Sequence, residues 1–236
     1  SCITLKPNYE KARLEPLLIG HAHNDYDNQN PLTDALVLGF VSIEVDIQLF
    51  KGQFFVAHDE EDIDNNKTLQ NMYLDPLLKL VNKHGGYLFK RKQPLFLLID
   101  IKSNADSTYH RLSEVLENYH TMLTLFKDGR ERPGPIKIII SGERPIELMK
   151  SQRLRYAAVD GRIEDIDSDE SVTLMPIISD NWTNMFDWKG EGEFPEQQKT
   201  KLHKLVQAAH KKGRLIRFWD TDSGNEQARH HLWREL

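Results

Sequence analysis

The stretch FVSIEVDIQLF, residues 40–50, indicates the fold class of this chain. It is almost entirely apolar or β-branched, which is typical of a strand buried on both faces of a parallel sheet. Another six runs of this kind predict strands, at residues 16–21, 94–102, 136–141, 155–160, 172–179 and 214–220. QFFVAH, residues 53–58, comes after Lys51-Gly52 and predicts the return arm of a hairpin.

Helical segments fill the intervals between these strands. Prolines and glycines mark where three of them begin and end, at Asn30-Pro31 to Gly39, Asp75-Pro76 to Gly85-Gly86, and Pro195 to Gly213. Strands alternating with helices predict an α/β fold with a parallel sheet. The last segment, HHLWREL, predicts a helix with no strand after it.

The parallel sheet is either doubly wound or closed as a (β/α)8 barrel. A doubly wound nucleotide-binding sheet needs a glycine-rich loop after its first strand, and GHAHND, residues 20–25, is not one. A barrel places polar residues at the carboxyl ends of its strands. That pattern occurs at His21, Glu44, Asp46, Asp100, Ser141, Asp160, Ser179 and Trp219. We therefore predict a (β/α)8 TIM barrel whose last strand is not visible in this sequence.

Composition limits the domain organisation and the partners. The 236 residues, 39% hydrophobic and 28% charged, fit one domain over residues 1–236 with residues 1–15 peripheral. The net charge of −5 argues against nucleic-acid binding. No apolar run approaches the roughly 20 residues that span a bilayer. The oligomeric state is left open.

The first residues bear on location. The chain begins with Ser1-Cys2 rather than Met, which fits a leader removed by the cell or by cloning. Cys2 fits either a lipoprotein-type cleavage site or an ordinary trimmed terminus. An exported or cell-envelope location is favoured over the cytoplasm. As the only cysteine, Cys2 excludes a disulfide framework within the chain.

Acidic residues at the strand ends predict a metal site. Glu44 and Asp46 share one face of their strand, and Asp100 and Lys102 share one face of theirs. Buried carboxylates need charge compensation, and Mg²⁺ or Ca²⁺ prefers oxygen ligands. The alternative is an internal salt bridge, such as Lys102 with Glu44. His58 ends the hairpin arm, and with His21 it would supply a proton-transfer pair for phosphodiester cleavage.

These motifs in order resemble the glycerophosphodiester phosphodiesterase / phospholipase-C-like TIM-barrel superfamily. The resemblance covers residues 18–102 well and 214–222 adequately, while the middle third matches only in strand rhythm. It implies His21 and His58 as the acid/base or nucleophilic pair, and one divalent cation on Glu44, Asp46 and Asp100. It implies Lys102 and Trp219 as substrate contacts, and a small-molecule or lipid-derived phosphodiester as substrate.

The first motif departs from the superfamily pattern, because Ala22-His23 stands in place of Arg-Gly. The sequence HAHNDY resembles a phospholipase-C-like branch also found in fungal mitochondrial-inheritance proteins. His23 is predicted to contact the substrate, as is Asn24, whose other predicted role is to brace the loop. Two other functions stay open: a non-catalytic barrel that binds a phosphorylated ligand, and a His-x-His metal-dependent hydrolase of the amidohydrolase or PHP type.

Overall fold

The computed structural model describes residues 14–221 and 224–236. The prediction on Cys2, and most of the peripheral segment 1–15, lie outside the described residues. The chain divides into two compact units, Ser1–Ala158 and Val159–Leu236, which are described separately below. The single-domain prediction stays a prediction.

Strands and short helices alternate along the chain. The strands are β1 (Leu17–Ala22), β2 (Phe40–Phe50), β3 (Gln53–Val56), β4 (Leu95–Ile101), β5 (Leu125–Lys127), β6 (Arg130–Arg132), β7 (Ile136–Gly142), β8 (Leu154–Arg155), β9 (Ala157–Gly161), β10 (Ile177–Asn181) and β11 (Leu215–Trp219). The α-helices are α1 (Thr33–Val37), α2 (Asp75–Lys83), α3 (Ala105–Glu117), α4 (Ile146–Ser151), α5 (Trp182–Met185), α6 (Glu196–Lys211) and α7 (Glu226–Glu235). A π-helical turn, Gln70–Leu74, leads into α2.

Parallel strands follow one another in chain order within each unit. In the first unit the order is β1-β2-β4-β7, and in the second it is β9-β10-β11. A doubly wound sheet would reverse its order at a switch point, whereas successive strands of a barrel are always neighbours. The predicted α/β fold of (β/α)8 type is therefore confirmed, with seven parallel strands and no eighth in the part of the chain described.

The hairpin predicted after β2 is present. The last residues of β2 pair antiparallel with β3, and the turn is Lys51-Gly52. Both turn residues have positive φ, 49° at Lys51 and 78° at Gly52, as a two-residue hairpin of type I′ requires. After β3 the chain returns alongside β2, because Ala57 N–H donates to the Asp46 carbonyl over 3.3 Å.

One predicted strand begins later in the structure, and the structure contains short strands that the sequence did not predict. The strand predicted at 172–179 begins only at Ile177, because residues 171–175 form a turn in which the Ser171 carbonyl accepts two amide N–H groups. The short antiparallel strands β5 and β6 had no prediction, and β8 overlaps the predicted strand 155–160 only at Arg155. The hairpin turn between β5 and β6 is Asp128-Gly129. Asp-Gly is a recognised turn signal, but the strands on either side are too short to show alternation.

The core of each unit is built mainly from apolar strand and helix residues. In the first unit, strands β2, β4 and β7 bury one face of isoleucine, valine and leucine, with Gly142 at the end of β7. In the second unit, α5, α6 and α7 enclose an aromatic cluster of Trp182, Phe186, Trp188, Leu202 and Leu232. No helix in the described residues is long and apolar enough to cross a membrane.

Candidate metal centre

Three carboxylates come together in the first unit, as the sequence predicts. Glu44 and Asp46 lie two residues apart on β2, and Asp46 pairs in register with Asp100 on β4. One oxygen from each residue lies within 4.8 Å of the other two. All three side chains belong to buried residues, with Asp46 fully buried. No other such group of histidine, cysteine or acidic side chains occurs within residues 14–221 and 224–236.

Lys102 offsets part of this negative charge. Its ammonium nitrogen lies 3.1 Å from Oδ1 of Asp100 and 3.4 Å from Oδ2 of Asp46. Burial lowers the pKa of Lys102, but its attraction to Asp100 and Asp46 outweighs burial and leaves that pKa raised. Lys102 therefore keeps its positive charge beside the cluster. Three ionised carboxylates and one ammonium still leave a negative excess in a buried place.

The pKa of Asp46 reflects both its burial and this excess of negative charge. Burial raises its pKa to about 6, the Asp100 and Glu44 charges also raise it, and Lys102 and a hydrogen bond from Tyr26 lower it. Its Oδ1 is buried and accepts no hydrogen bond from the described residues. A buried carboxylate oxygen without a donor is costly unless a cation approaches it. This oxygen and the all-carboxylate donor set fit a hard cation such as Mg²⁺ or Ca²⁺.

His21 lies against Glu44. Its Nε2 is 3.0 Å from Oε2 of Glu44, its Nδ1 is 2.7 Å from Oγ of Ser42, and its side chain is 17% exposed. An ionised carboxylate only accepts hydrogen bonds, so the Glu44 contact requires a proton on Nε2. His21 therefore donates a hydrogen bond to Glu44 at the edge of the cluster. His23 approaches the other oxygen of Glu44 at 3.5 Å and is half-exposed.

The other predicted site residues are His58 and Asn24 in the first unit and Trp219 in the second. The ring of His58 contacts Asp59, with Nδ1 3.2 Å from Oδ2, and is 55% exposed. Asn24 precedes the 3₁₀ turn Asp25–Asp27 in a left-handed conformation, and its carbonyl accepts from Asp27 N–H. Trp219 ends β11 in the second unit, in register with Asn181. Their roles in catalysis or substrate binding stay predictions.

Tyr26 is a contact that the sequence analysis missed. Its hydroxyl donates to Oδ2 of Asp46 over 2.9 Å. Burial raises the pKa of Tyr26, and the nearby carboxylate of Asp46 raises it further, so the hydroxyl keeps its proton. The signal available was the position of Tyr26 directly after HAHND, but no spacing rule relates a loop tyrosine to a strand on another segment.

Comparisons with known proteins identify a family and several relatives. Residues 12–160 match the family model described as "AIM6-like phosphodiesterase domain". An "Altered inheritance of mitochondria protein 6 homolog" from Arthroderma benhamiae is 29% identical over 92% of this chain and 76% of its own length. "Altered inheritance of mitochondria protein 6" from Lachancea thermotolerans is 28% identical over 90% of this chain and 59% of its own length.

A solved phosphatidylinositol-specific phospholipase C from Listeria monocytogenes has a TM-score of 0.41 and 11% identity, over 98% of this chain and 95% of that one. The family match confirms the phosphodiesterase resemblance predicted from the motifs. The chain spans about three fifths of the length of the Lachancea protein.

Gly142, the last residue of β7, gives a test of the cluster. Its φ is +66°, and a Cβ there would overlap Oδ1 of Asp100 and lie 2.5 Å from the Ile101 carbonyl oxygen. We expect Gly142→Ala to displace the Asp100 carboxylate and weaken Mg²⁺ or Ca²⁺ binding by about tenfold or more, as changes around metal ligands do. Isothermal titration calorimetry measures the Kd.

Gly192→Ala is the matched control. Gly192 has a φ of +65° and nothing within 4 Å of a built Cβ, so the backbone strain is similar but no carboxylate moves. Both variants should lose about 1–3 kcal/mol of unfolding free energy from that strain. An unchanged Kd in Gly142→Ala would contradict the assignment of Asp100 as a ligand.

Proposed function

The chain belongs to the family of AIM6-like phosphodiesterase domains, and on this premise we propose that it is a metal-dependent phosphodiesterase. Its proposed substrates are glycerophosphodiester- or phospholipid-type molecules, small or lipid-derived. The observation that carries the proposal is the buried cluster of Glu44, Asp46 and Asp100 with His21 and Lys102 in contact with it. The carboxylates would bind a cation, His21 would donate a proton, and Lys102 would supply a positive charge.

Glu44, Asp46 and Asp100 would hold one divalent cation, Mg²⁺ or Ca²⁺. A bound cation of this kind supplies electrostatic stabilisation of the charge that grows on phosphate oxygens during cleavage. The oxygen-only donor set favours these cations over zinc, which is usually bound by histidine or cysteine. His21 and His23 both approach Glu44, and neither belongs to the ligand group, which weighs against the amidohydrolase or PHP alternative.

Side chains of the protein would carry out proton transfer, stabilise charge on the phosphoryl group and contact the substrate. His21, whose Nε2 lies 3.0 Å from Oε2 of Glu44, would protonate the leaving oxygen of a phosphodiester. His58 is half-exposed and would accept the proton of the attacking hydroxyl, either water or a neighbouring alcohol of the substrate. Lys102 would offset negative charge on the phosphoryl group in the transition state. His23 and Asn24 would contact the substrate.

Replacing either histidine tests this division. We expect His21→Ala and His58→Ala each to lower turnover by about 10²–10⁴, the usual contribution of a general acid or base. The measurement is kcat with a saturating phosphodiester substrate. His110→Ala is the matched control, because His110 is an exposed residue of α3 that pairs with Glu114. A variant at either position with the activity of the unaltered chain would remove that histidine from the mechanism.

Removing the metal tests the proposed class of reaction. A panel of glycerophosphodiesters and phospholipids, read by ³¹P nuclear magnetic resonance, should show cleavage that chelator abolishes and added Mg²⁺ or Ca²⁺ restores. The product spectrum separates hydrolysis from formation of a cyclic phosphate. Asp100→Asn should lose the metal-dependent activity because one charged ligand is gone. Turnover that chelator leaves unchanged would contradict the proposal, and phosphate-ester binding without turnover would favour the non-catalytic alternative.

A further inference from the structure

The two oxygens of Asp46 have different surroundings. Oδ2 accepts a hydrogen bond from the Tyr26 hydroxyl at 2.9 Å and lies 3.4 Å from the Lys102 ammonium. Oδ1 is buried and accepts no hydrogen bond from the described residues. A carboxylate whose one oxygen is held by a donor has less freedom to rotate. Oδ2 is therefore held within the protein, whereas Oδ1 is available to a ligand.

We propose that Tyr26 is a positioning residue for the metal centre: its hydroxyl holds Oδ2 of Asp46, so that Oδ1 is presented to the cation. The inference rests on the metal site proposed above. Groups that hydrogen-bond to metal ligands orient them, and their loss typically costs about 10- to 100-fold in metal affinity. Tyr26 acts through Asp46 and is not itself a ligand.

The loop that carries Tyr26 is fixed by its neighbour. Asp25 is fully buried, and its Oδ2 accepts from Leu32 N–H at 2.6 Å and from the Tyr73 hydroxyl at 2.8 Å. Leu32 has a φ of +61°, an unusual value for a leucine, which the short bond to Asp25 helps to hold. Because two donors hold Oδ2 of Asp25, the next residue, Tyr26, has little freedom to turn away from β2.

Tyr26 also gives Oδ2 of Asp46 a partner that does not depend on Lys102. If the Lys102 ammonium turned toward a substrate phosphate, Oδ2 of Asp46 would lose its ion pair with that ammonium. The Tyr26 hydroxyl is a neutral donor that remains, so Oδ2 keeps a hydrogen-bond partner inside the protein. Asp46 can then keep the same orientation whether Lys102 contacts the carboxylates or the substrate.

Tyr26→Phe removes the hydroxyl and keeps the ring. The Kd of the intact chain for Mn²⁺, Mg²⁺ and Ca²⁺ is measured by isothermal titration calorimetry, with no substrate present. We expect the affinity to fall by about 10- to 100-fold. Tyr73→Phe, which loosens the Asp25 anchor without contacting Asp46, should lower the affinity by a smaller, few-fold amount. It also keeps the inference testable should Tyr26→Phe fold poorly.

Tyr119→Phe is the matched control. The Tyr119 hydroxyl donates to Oδ1 of Asp75 at 2.6 Å, so this variant loses the same kind of hydrogen bond at an aspartate outside the cluster. Its melting temperature should fall while its Kd stays that of the unaltered chain. A Tyr26→Phe Kd within twofold of the unaltered chain would overturn the role of Tyr26 alone. An unaltered chain that binds none of the three cations would overturn the metal site and this inference together.

Discussion

The repulsion among three buried carboxylates is the interaction on which the first unit's site depends. Glu44, Asp46 and Asp100 are brought together by the register of two neighbouring parallel strands, which the apolar residues of the opposite face hold in place. Burial raises the pKa of Asp46 most, and the like charges of Asp100 and Glu44 raise it further, so that pKa records the cost of burying the carboxylates together. The arrangement is therefore costly for the protein without a cation, and a bound divalent cation would remove much of the cost.

The neighbouring groups around the carboxylates each offset part of that charge. The Lys102 ammonium lies between Asp46 and Asp100, His21 donates to Glu44, and Tyr26 donates to Asp46. Each partner engages one oxygen or one side of the cluster, and Oδ1 of Asp46 is left without a donor from the described residues. A site built for structural stability would satisfy that oxygen. A buried carboxylate oxygen without a hydrogen-bond donor is typical of a functional site, where local stability is lost in favour of binding.

Much of this site was predictable from the sequence because it lies on strands. The two-residue alternation placed Glu44 beside Asp46, and the strand ends placed Asp100 near them. The predicted partner of Lys102 in the salt-bridge alternative was Glu44, whereas the structure pairs it with Asp46 and Asp100, a detail of side-chain direction that alternation does not encode. Tyr26 was missed because a loop residue has no such periodicity. Strands β5 and β6 were missed because three residues are too few to show a pattern.

The account stands on a cation bound between strands β2 and β4. The most direct measurement is an anomalous diffraction map of crystals soaked in Mn²⁺, which replaces Mg²⁺ and scatters anomalously. The account predicts one strong peak bonded to oxygens of Glu44, Asp46 and Asp100. A map without a peak there, in which the Lys102 ammonium still bridges Asp46 and Asp100, would contradict it.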